Sequence, residues 1–511
     1  IEHKVMGLIF QKDKEKFLGL EPAIQRKIIR KKSAEYANKY IKAQKAQMKS
    51  LLTVAKYDEP YLTMDPKYEE KVLHVFAKLV EQGLVYRQNK PVHWSIDNQT
   101  ALADAELEYH DRTDTAVFLG FELTSTLKGI SENEVQLIVW TTTPWTLPAN
   151  QAIAISKTAT YALVETEGKH YICCKDLIEK IEAKINQKLH IKQAFLGEIL
   201  MGATYNHPFC DRKGSIFQGE FVTTEDGSGL VHIAPGHGMD DYQLGQEHHL
   251  ETYCPVQDDG TFDQSVPEWI QGKSIWDANS LVIEQLKSTD HLLVSYDFEH
   301  SYPHDWRSKS PVIFRATPQW FIAVDQPLKA NEKSLRTMAL NEINNNVKFR
   351  PSWGKNRLRG MMESRPDWCL SRQRSWGLPI PAFLYQDQVI LTAKMVYAVA
   401  DCFATHGSDA WFDLDPEQLL KTYDPSSDPE SPQNLKIKDL QKTYDIFDVW
   451  FESGSSWHAV VQTRLNQEQA DLYCEGSDQH RGWFHLSLLP ALGVTQKAPF
   501  KTSITKKYCD A

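Results

Sequence analysis

The pattern of hydrophobic residues changes twice along the chain, and these two changes constrain the fold more than any other feature. From about residue 94 to 310 the sequence consists of short β-rich runs such as "TAVFLGFEL", "VQLIVW", "YALVETEGKHYICC" and "SGLVHIA", separated by turn residues. Before and after this stretch, helical patterns alternate with strand patterns, as in layered α/β proteins. The 511 residues are too many for one hydrophobic core. We therefore expect an α/β domain that is interrupted by a β-rich insertion, with parts at residues 1–93, 94–310 and 311–511.

Two helices stand out near the beginning of the chain. Residues 21–51 have Ala, Ile and Tyr at spacings of three and four with Lys and Arg between them, which predicts an amphipathic helix. In "DPKYEEKVLHVFAKLVEQGL", Asp65 and Pro66 form a helix start and Gly83 a helix stop. The segment "DPSSDPESPQN" is interpreted as a surface loop.

Composition narrows the class of protein. No run of about 18 uncharged apolar residues is present, so we expect no membrane span. The eight cysteines form no C-x-x-C pair, which favours reduced thiols in a cytoplasm over disulfides. The net charge of −10 argues against indiscriminate nucleic-acid binding, so a nucleic-acid partner would need a local basic surface. The opening "IEHKVMGLIF" does not have the pattern of a signal peptide, and we expect the chain to start inside a domain.

Polar residues follow two of the predicted strands. "QLIVWTTTPWTLPAN" runs from apolar residues into four threonines and an asparagine, and "SGLVHIAPGHGMDDY" runs into histidines and aspartates. One interpretation is that the hydroxyls only satisfy loop backbone. The other is a polar pocket in which a carboxylate holds an ammonium group and hydroxyls position a water and ribose oxygens. No Ser/His/Asp or Cys/His nucleophile arrangement is recognisable in either segment.

These two segments resemble the signature segments of the editing domain in the isoleucyl-tRNA synthetase family. Further blocks of the same family follow in order along most of the chain, namely "KPVHWSIDNQTALADAELEY", "SYPHDWRSKSPVIFRATPQWF", "RPDWCLSRQRSWGLPIP", "DVWFESGSSW" and "EGSDQHRGWF". The valyl and leucyl relatives resemble T-T-R-P in the first segment, where this chain has Thr143-Pro144-Trp145. The resemblance implies a class I aminoacyl-tRNA synthetase, whose editing domain is inserted into a doubly wound parallel-sheet nucleotide-binding fold.

The resemblance also implies the residues of an editing site that hydrolyses misattached valine. They are Thr141, Thr142, Thr143, Thr146, Asn150, His232 and Asp241. Asp241 would hold the ammonium group of valine, and His232 would help to exclude isoleucine. A plain strand-end imidazole is the alternative interpretation of His232.

A second set of implied residues belongs to the synthetic site, in which isoleucine reacts with ATP. The aminoacyl-adenylate would be bound by Glu475, Gly476, Asp478, Gln479 and His480. Trp376 and Trp483 resemble the aromatic walls of the isoleucine pocket, although without the family match both would be interpreted as core residues. The implied substrates are isoleucine, ATP as its Mg²⁺ complex, and the tRNA for isoleucine, and we expect a monomer. The basic helix at residues 21–51 is then either a solvated face or a direct tRNA contact.

The chain departs from the family at three places. The His-Ile-Gly-His and Lys-Met-Ser-Lys-Ser signatures are not in the sequence, and Lys506-Lys507 stand where the family tends to have His-Gly. We therefore expect a fragment of a longer protein, which alone would not aminoacylate tRNA.

Many relatives also carry a zinc knuckle of four cysteines, at positions that this chain fills with Ser95, Asn98, Asp305 and Ser308. Oxygen donors suit structural zinc poorly, so we predict no zinc there, with direct hydrogen bonds between the two turns in its place.

Two other functions stay open from the sequence alone. One is an editing-only or non-catalytic tRNA-binding module, and the other is a relative of the valyl enzyme, which the Thr-Pro-Trp segment disfavours.

Overall fold

The computed structural model describes residues 1–132 and 134–506, so Lys507 and Cys509 lie outside the described residues. The chain divides into two compact units. Unit 1 comprises residues 1–88, 103–105 and 319–511, and unit 2 comprises residues 89–102 and 106–318. The sequence placed the inserted part at residues 94–310, so the structural unit extends further at both ends.

Helices are concentrated in unit 1. In chain order the α-helices are α1 (Glu2–Leu18), α2 (Pro22–Ser50), α3 (Pro66–Glu81), α4 (Ile178–Ile185), α5 (Met239–Glu247), α6 (Ile275–Ser288), α7 (Leu335–Asn345), α8 (Trp353–Glu363), α9 (Ala393–His406), α10 (Ala410–Asp413), α11 (Pro416–Leu419), α12 (Val449–Gly454) and α13 (Trp483–Thr495). Among the described residues, no helix combines the length and the apolar character that crossing a membrane requires.

Strands are concentrated in unit 2. In chain order they are β1 (Val85–Ser95), β2 (Thr100–Leu102), β3 (Leu107–Leu123), β4 (Val135–Thr141), β5 (Ala152–Ile155), β6 (Thr160–Thr166), β7 (Lys169–Cys174), β8 (His190–Leu196), β9 (Thr204–Asn206), β10 (Lys213–Gln218), β11 (Leu230–Ile233), β12 (Leu292–Asp305), β13 (Val312–Ile322), β14 (Lys348–Arg350), β15 (Trp368–Cys369), β16 (Ser371–Arg372), β17 (Phe383–Tyr385), β18 (Gln388–Ile390), β19 (Gln441–Lys442), β20 (Ile446–Phe447), β21 (Ala470–Gly476) and β22 (Phe500–Lys506).

Helix α3 has the boundaries that its sequence predicts. The Asp65 side chain accepts a hydrogen bond from the Lys67 amide, and Pro66 occupies the first helical turn, where its missing N–H costs nothing. Two residues beyond the helix, Gly83 has a φ of +74°, which a side chain would disfavour. The buried face of α3 joins the main hydrophobic core of unit 1.

Helix α2 coincides with the predicted amphipathic helix and is strongly basic. It contains nine Lys or Arg residues and one Glu, in a chain whose net charge is −10. Its first half buries Ile29, Ser33 and Ala37, whereas nearly all residues after Ala37 are exposed. The structure is compatible with a solvated basic face and with a nucleic-acid contact, so both interpretations remain open.

A parallel sheet organises the end of unit 1. Within the described residues it has three strands in the order β14-β22-β21, and both neighbouring pairs are parallel. Helix α13 connects β21 to β22, which makes a βαβ unit. In such sheets, binding residues collect beyond the carboxyl ends of the strands, and this is where Glu475 and the following turn lie. The predicted α/β class is therefore confirmed.

Unit 2 is built on one large mixed sheet. Its strands run in the order β11-β5-β10-β9-β3-β4-β7-β6-β8, and β12 pairs with β3. Helices α4 and α6 contribute Ile181, Val282 and Leu286 to the hydrophobic core of this unit. The longest ladder joins β3 and β12, from the pair Leu107–Asp305 to the pair Leu119–Leu292.

Candidate active sites

The two polar segments that follow strands β4 and β11 line one cavity of about 380 Å³ in unit 2. Six of the seven residues predicted for the editing site line it, namely Thr141, Thr142, Thr143, Thr146, His232 and Asp241. We call this space the threonine cavity. The structure thus brings together residues that are about 90 positions apart in the sequence.

The backbone explains why these side chains meet. Strand β4 ends at Thr141, and the chain then turns into a buried 3₁₀ helix, Pro144–Ala149, rather than an open loop. Strand β11 pairs with β5 so that His232 lies opposite Ile153. Prolines within the turn favour a short 3₁₀ segment, because they remove backbone donors that a longer helix would use.

Three threonine hydroxyls form a connected row. Thr141 Oγ1 accepts a hydrogen bond from the Thr143 amide at 3.1 Å, and it lies 3.3 Å from Thr143 Oγ1, which in turn lies 3.3 Å from Thr146 Oγ1. Within the described residues the Thr142 hydroxyl makes no hydrogen bond, although Thr142 lines the cavity. The hydroxyls of the row therefore hold the turn in place through their mutual hydrogen bonds. The hydroxyl of Thr142 remains available to a ligand.

The proton position on His232 follows from its partners. Asn150 Nδ2, which can only donate, lies 3.3 Å from His232 Nδ1, so this nitrogen accepts. His232 Nε2 then carries the hydrogen and donates to Thr146 Oγ1 at 2.8 Å, while the Thr146 hydroxyl donates to the carbonyl of Thr143. Burial, together with the charge of nearby His237, lowers the pKa of His232 to about 4. The imidazole is therefore neutral at pH 7, and both of its nitrogens are engaged.

Asn150 lies behind the cavity rather than in its wall. Its Nδ2 also donates to the carbonyl of Ala152, and its Oδ1 accepts from the Tyr205 hydroxyl at 2.6 Å. These contacts fix the orientation of the amide, which in turn fixes the tautomer of His232. Asn150 therefore acts through His232.

Asp241 supplies the carboxylate of the cavity. It lies in the first turn of α5, and its Oδ2 accepts a hydrogen bond from the Ala234 amide at 2.8 Å. Burial raises the pKa of Asp241 to about 6, and the charge of Asp240 acts in the same direction. A buried carboxylate of this kind is stabilised by a cation that reaches it.

Other residues that line the cavity were not predicted from the sequence. They are Trp140 and residues of the loop between β10 and β11, among them Phe221, Thr223, Asp226 and Ser228. His237 lines the cavity as well, and it belongs to the second polar segment that the sequence indicated. The segment "GEFVTTEDGSG" resembles any polar surface loop, so its composition carries no signal of a site. Alternation along β4 would not have indicated Trp140 either, because it places Trp140 and its neighbour Thr141 on opposite faces of the strand.

A second cavity of about 310 Å³ lies in unit 1, and we call it the tryptophan cavity. It is lined by Tyr61, Thr63, Tyr68, Trp450, Ser453, Ser456, Glu475, Gln479 and Trp483. The Trp483 ring stacks on Tyr473 with centroids 3.9 Å apart, and its Nε1 donates to the carbonyl of Ser453. Gln479 Oε1 accepts from the Trp483 amide at 2.9 Å, so these two lining residues hold each other in place.

Several residues predicted for the synthetic site do not line this cavity. Gly476, Asp478 and His480 belong to the same turn but lie outside the cavity wall. His480 is fully buried, and its Nδ1 lies 2.9 Å from the carbonyl oxygen of Ser477. Trp376 is elsewhere in unit 1, with the Arg30 guanidinium 5.7 Å from its ring centroid and its amide bound to Glu2. Trp450 lines the tryptophan cavity together with Trp483, and the role of Trp376 in an isoleucine pocket stays a prediction.

The two turns that replace the zinc knuckle are joined directly. Asp305 Oδ2 accepts hydrogen bonds from Ser95 Oγ and from Asn98 Nδ2, both at 2.6 Å, and Asp305 Oδ1 accepts from the Arg307 amide. These are the hydrogen bonds that the sequence predicts. Within residues 1–132 and 134–506, no group of three or more His, Cys, Asp or Glu side chains is arranged to hold a metal ion. The residues present do not fit zinc, and its absence stays a prediction.

Comparisons with known proteins agree with this picture. The family model described as "tRNA synthetases class I (I, L, M and V)" matches residues 1–509. An isoleucine–tRNA ligase of Fervidobacterium nodosum is 41% identical over 510 residues, which cover 99% of this chain and 53% of that protein. An isoleucine–tRNA ligase of Aquifex aeolicus is 43% identical over a region that covers 93% of this chain and 51% of that protein.

A third relative, the isoleucine–tRNA ligase of Aquifex pyrophilus, is 41% identical over 521 residues, which cover 96% of each sequence. Apart from that sequence, the chain spans about half the length of these relatives. The match over nearly the whole chain places this protein in the family of class I tRNA synthetases.

Proposed function

We propose that this chain is the part of an isoleucine–tRNA ligase that proofreads the product, and that it contributes residues to the activation site. In this reaction isoleucine and ATP give isoleucyl-adenylate and pyrophosphate, and the acyl group then passes to the terminal ribose of tRNA. The observation that carries the proposal is the threonine cavity, which is lined by a carboxylate, a neutral histidine and a free hydroxyl. The relatives named above are isoleucine–tRNA ligases, which supports the same function.

The tryptophan cavity is proposed as the site of activation. Trp450 and Trp483 offer flat apolar walls to a branched aliphatic side chain, and their burial of apolar area favours its binding. Glu475 and Gln479 place a carboxylate and an amide at the carboxyl end of β21, where a nucleotide binds in folds of this class.

A second site is needed because isoleucine and valine differ by one methylene. In an apolar pocket one methylene is worth only about 1–3 kcal/mol of discrimination, for which this pair of amino acids is the usual worked example. Hydrolysis of the smaller product in a separate cavity raises the overall accuracy.

In the threonine cavity, Asp241 is proposed to bind the ammonium group of valine. The cation lowers the cost of ionising this buried carboxylate, so binding and ionisation support each other. A water molecule then attacks the ester carbonyl carbon, and the bond to the ribose oxygen breaks. One proton of the water goes to the ribose oxygen, the other is released to the solvent, and valine leaves as its carboxylate.

His232 is proposed to form a wall and not to act as the general base. Its Nδ1 already accepts from Asn150 and its Nε2 already donates to Thr146, so no lone pair is available to take a proton from water. Fixed in this way, the ring sets the size of the side chain that the cavity admits.

The partners follow from this chemistry. We propose that the ligase acts on the tRNA for isoleucine and on ATP as its Mg²⁺ complex, and that it works as a monomer in the cytoplasm. The exposed basic half of α2 supports the tRNA as a partner, and the eight cysteines without a C-x-x-C pair support the cytoplasm.

The decisive experiment compares two neighbouring aspartates. Asp241→Ala should reduce hydrolysis of valyl-tRNA by the purified chain by about 30-fold to 150-fold, since a charged hydrogen bond is worth about 2–3 kcal/mol. Asp240→Ala is the matched control, because Asp240 is exposed and does not line the cavity. Equal loss in both variants, or no loss in Asp241→Ala while its circular dichroism is unchanged, would contradict the proposal.

A further inference from the structure

A basic and aromatic surface of unit 1 takes no part in the chemistry proposed above. Residues 343–362, "INNNVKFRPSWGKNRLRGMM", contain five Lys or Arg residues and no Asp or Glu, in a chain whose net charge is −10. They include strand β14 and most of helix α8. Of the tryptophans in the described ranges, only Trp353 at the start of α8 is exposed, with 40% of its surface accessible. An exposed aromatic ring among cations is typical of surfaces that bind single-stranded nucleic acid.

Three of these cations are not neutralised by a neighbouring acid. Lys348, Arg350 and Arg357 are exposed, and none of them forms an ion pair within the part of the chain that the structure describes. Lys355, in contrast, donates to a backbone carbonyl of α7 at 2.9 Å. A polyanion that binds here would contact three cations without first breaking an ion pair.

The strand and the helix each present two of these side chains on one face. Lys348 and Arg350 alternate with the buried Phe349, so both project from the same face of β14. Trp353 and Arg357 are four residues apart in α8, which places them on the same side of the helix, one turn apart. We call Lys348, Arg350, Trp353 and Arg357 the α8 patch.

The patch lies at the carboxyl end of the parallel sheet in unit 1. Arg350, the last residue of β14, is paired with Ile504 of β22, which in turn is paired with Cys474 of β21. The three strands therefore end at the same edge, and α8 begins three residues after Arg350. Glu475 and Gln479 lie at this edge, where ligands bind in sheets of this kind.

Helix α8 packs directly on the turn Ser477–His480 that follows β21. The ring centroids of Trp353 and His480 are 5.7 Å apart. A Cβ added to Gly354 would lie 3.2 Å from His480 Nε2 and 3.4 Å from Thr505 Oγ1, so a side chain at this position would require a small displacement of the helix or the turn. The patch is therefore held beside the turn that is predicted to bind the aminoacyl-adenylate.

We propose that the α8 patch binds the unpaired 3′ end of the tRNA, with a base stacked on Trp353 and backbone phosphates bound by the three cations. This proposal rests on the proposed function, in which the acyl group passes to the terminal ribose, so the 3′ strand must reach the carboxyl edge of the sheet. Bases present flat faces that stack on an indole, and phosphates pair with guanidinium and ammonium groups. An acidic peptide would pair with the cations but would offer no base to stack on Trp353.

The test is a fluorescence titration of the full chain with an RNA hairpin that has the acceptor stem of an isoleucine tRNA and an unpaired 3′ tail ending in 2-aminopurine. Binding should quench the 2-aminopurine, because the base stacks on the indole. Trp353→Ala should weaken binding at least about fivefold and remove most of the quench, whereas Trp353→Phe, which keeps an aromatic ring, should retain both. A hairpin without the tail, measured by competition, should bind the wild-type chain more weakly by a similar factor.

Arg359 provides the matched control for charge. Like Arg357 it is exposed on α8, but its Nε pairs with Glu363 at 2.8 Å. Arg357→Ala should weaken binding severalfold and make the plot of log K against log salt concentration less steep by about 0.7, as expected for one lost phosphate contact with a single strand. Arg359→Ala should leave both values unchanged.

Several results would overturn the proposal. They are equal affinities of the wild-type, Trp353→Ala and Arg357→Ala chains, an equal loss in Arg357→Ala and Arg359→Ala, and binding of the hairpin without a tail that is as tight as that of the tailed hairpin. Circular dichroism confirms that each variant is folded.

Failure of this proposal is distinguishable from failure of the proposed function. Hydrolysis of valyl-tRNA that depends on Asp241, together with RNA binding that depends on neither Trp353 nor Arg357, would overturn the α8 patch alone. A wild-type chain that binds the tailed hairpin through the patch but hydrolyses no valyl-tRNA would overturn the proofreading function and not the binding surface.

Discussion

At the scale of single residues, the pKa of Asp241 should make hydrolysis in the threonine cavity depend on pH. Its raised pKa, about 6, means that the carboxylate becomes protonated as the pH falls below this value. A protonated carboxyl cannot bind an ammonium group by charge. We therefore expect kcat/KM for valyl-tRNA hydrolysis to fall about tenfold between pH 7 and pH 5, because kcat/KM reports the free enzyme.

The measurement is a pH profile of deacylation, corrected for the uncatalysed reaction. The charges that act on the pKa of Asp241 are those of Asp240, which raises it, and His237, which lowers it, so Asp240→Asn should move the midpoint to lower pH. In the Asp241→Asn variant, the pH profile should lack this fall in rate. A profile of wild-type protein that is flat from pH 5 to pH 8 would count against Asp241 as the ammonium ligand.

The threonines give a second prediction at this scale, which concerns size. Thr142→Ala and Thr143→Ala each enlarge the cavity, so isoleucyl-tRNA, which we expect the wild-type chain to spare, should become a substrate for hydrolysis. The gain should be several-fold, since one methyl-sized change is worth about 1 kcal/mol.

Thr158→Ala is the control for these variants, because Thr158 is exposed and lies outside the threonine cavity. Rates are measured with tRNA charged separately with each amino acid. If both cavity variants still spare isoleucyl-tRNA, the cavity does not select by size.

The sequence predicts the members of the cavity better than their roles. Polar residues directly after a strand are visible in the sequence, so Thr141, Thr146 and His232 could be grouped. That Asn150 acts from behind the wall depends on Tyr205 and Ala152, which no local pattern connects to it. Similarly, Trp376 and Trp450 both stand beside polar residues, and only the tertiary packing distinguishes which of them meets Trp483.

At the scale of elements, Asp305 at the end of β12 joins the two turns that lack cysteine. Burial alone would raise the pKa of Asp305, but the hydrogen bonds from Ser95, Arg307 and Asn98 outweigh burial and lower it. The stabilisation is therefore present above the ordinary pKa of an aspartate, near 3.8, and is lost as the pH falls towards the lower folded value.

Asp305→Ala should lower the free energy of unfolding by about 3 kcal/mol or more, because it removes charged hydrogen bonds and leaves buried donors unpaired. Urea unfolding followed by circular dichroism measures the change. Asp97→Ala, at an exposed position in the first turn, should change stability by less than about 0.5 kcal/mol.

The predicted absence of zinc at these two turns can also be tested. Dialysis against a chelator should leave the unfolding midpoint of the wild-type chain unchanged, and elemental analysis should find well below one zinc per chain. A stoichiometric ion near Asp97 and His304 would refute this prediction.

Helices could be located from the sequence more accurately than strand partners. The bounds of α3 follow from local signals, since Asp65, Pro66 and Gly83 act within a few residues of themselves. The order of the large sheet does not follow from such signals. Strand β5 pairs in parallel with β10 and antiparallel with β11, and nothing in the four residues of β5 specifies either partner.

At the scale of the whole molecule, unit 2 has its own hydrophobic core, which extends from Val117 to Leu286. We expect residues 89–318, expressed alone, to fold and to unfold in one cooperative transition, because a separate hydrophobic core is characteristic of a domain. Thermal unfolding by circular dichroism and dispersed amide signals in an NMR spectrum test this expectation. A chain that binds a hydrophobic dye strongly and melts without a transition would contradict it.

The ladder between β3 and β12 also has a consequence for how the chain is made. Leu107 leaves the ribosome before Asp305 by a delay on the order of 10–40 s, at ~5–20 residues per second, yet the two residues are paired in the folded sheet. During that interval β3 lacks its partner on one edge, and an unpaired hydrophobic strand is a template for aggregation. Slower translation after β3 would lengthen the exposure, so the yield of folded protein should depend on codon speed between these two strands and on chaperones that cover nascent chains.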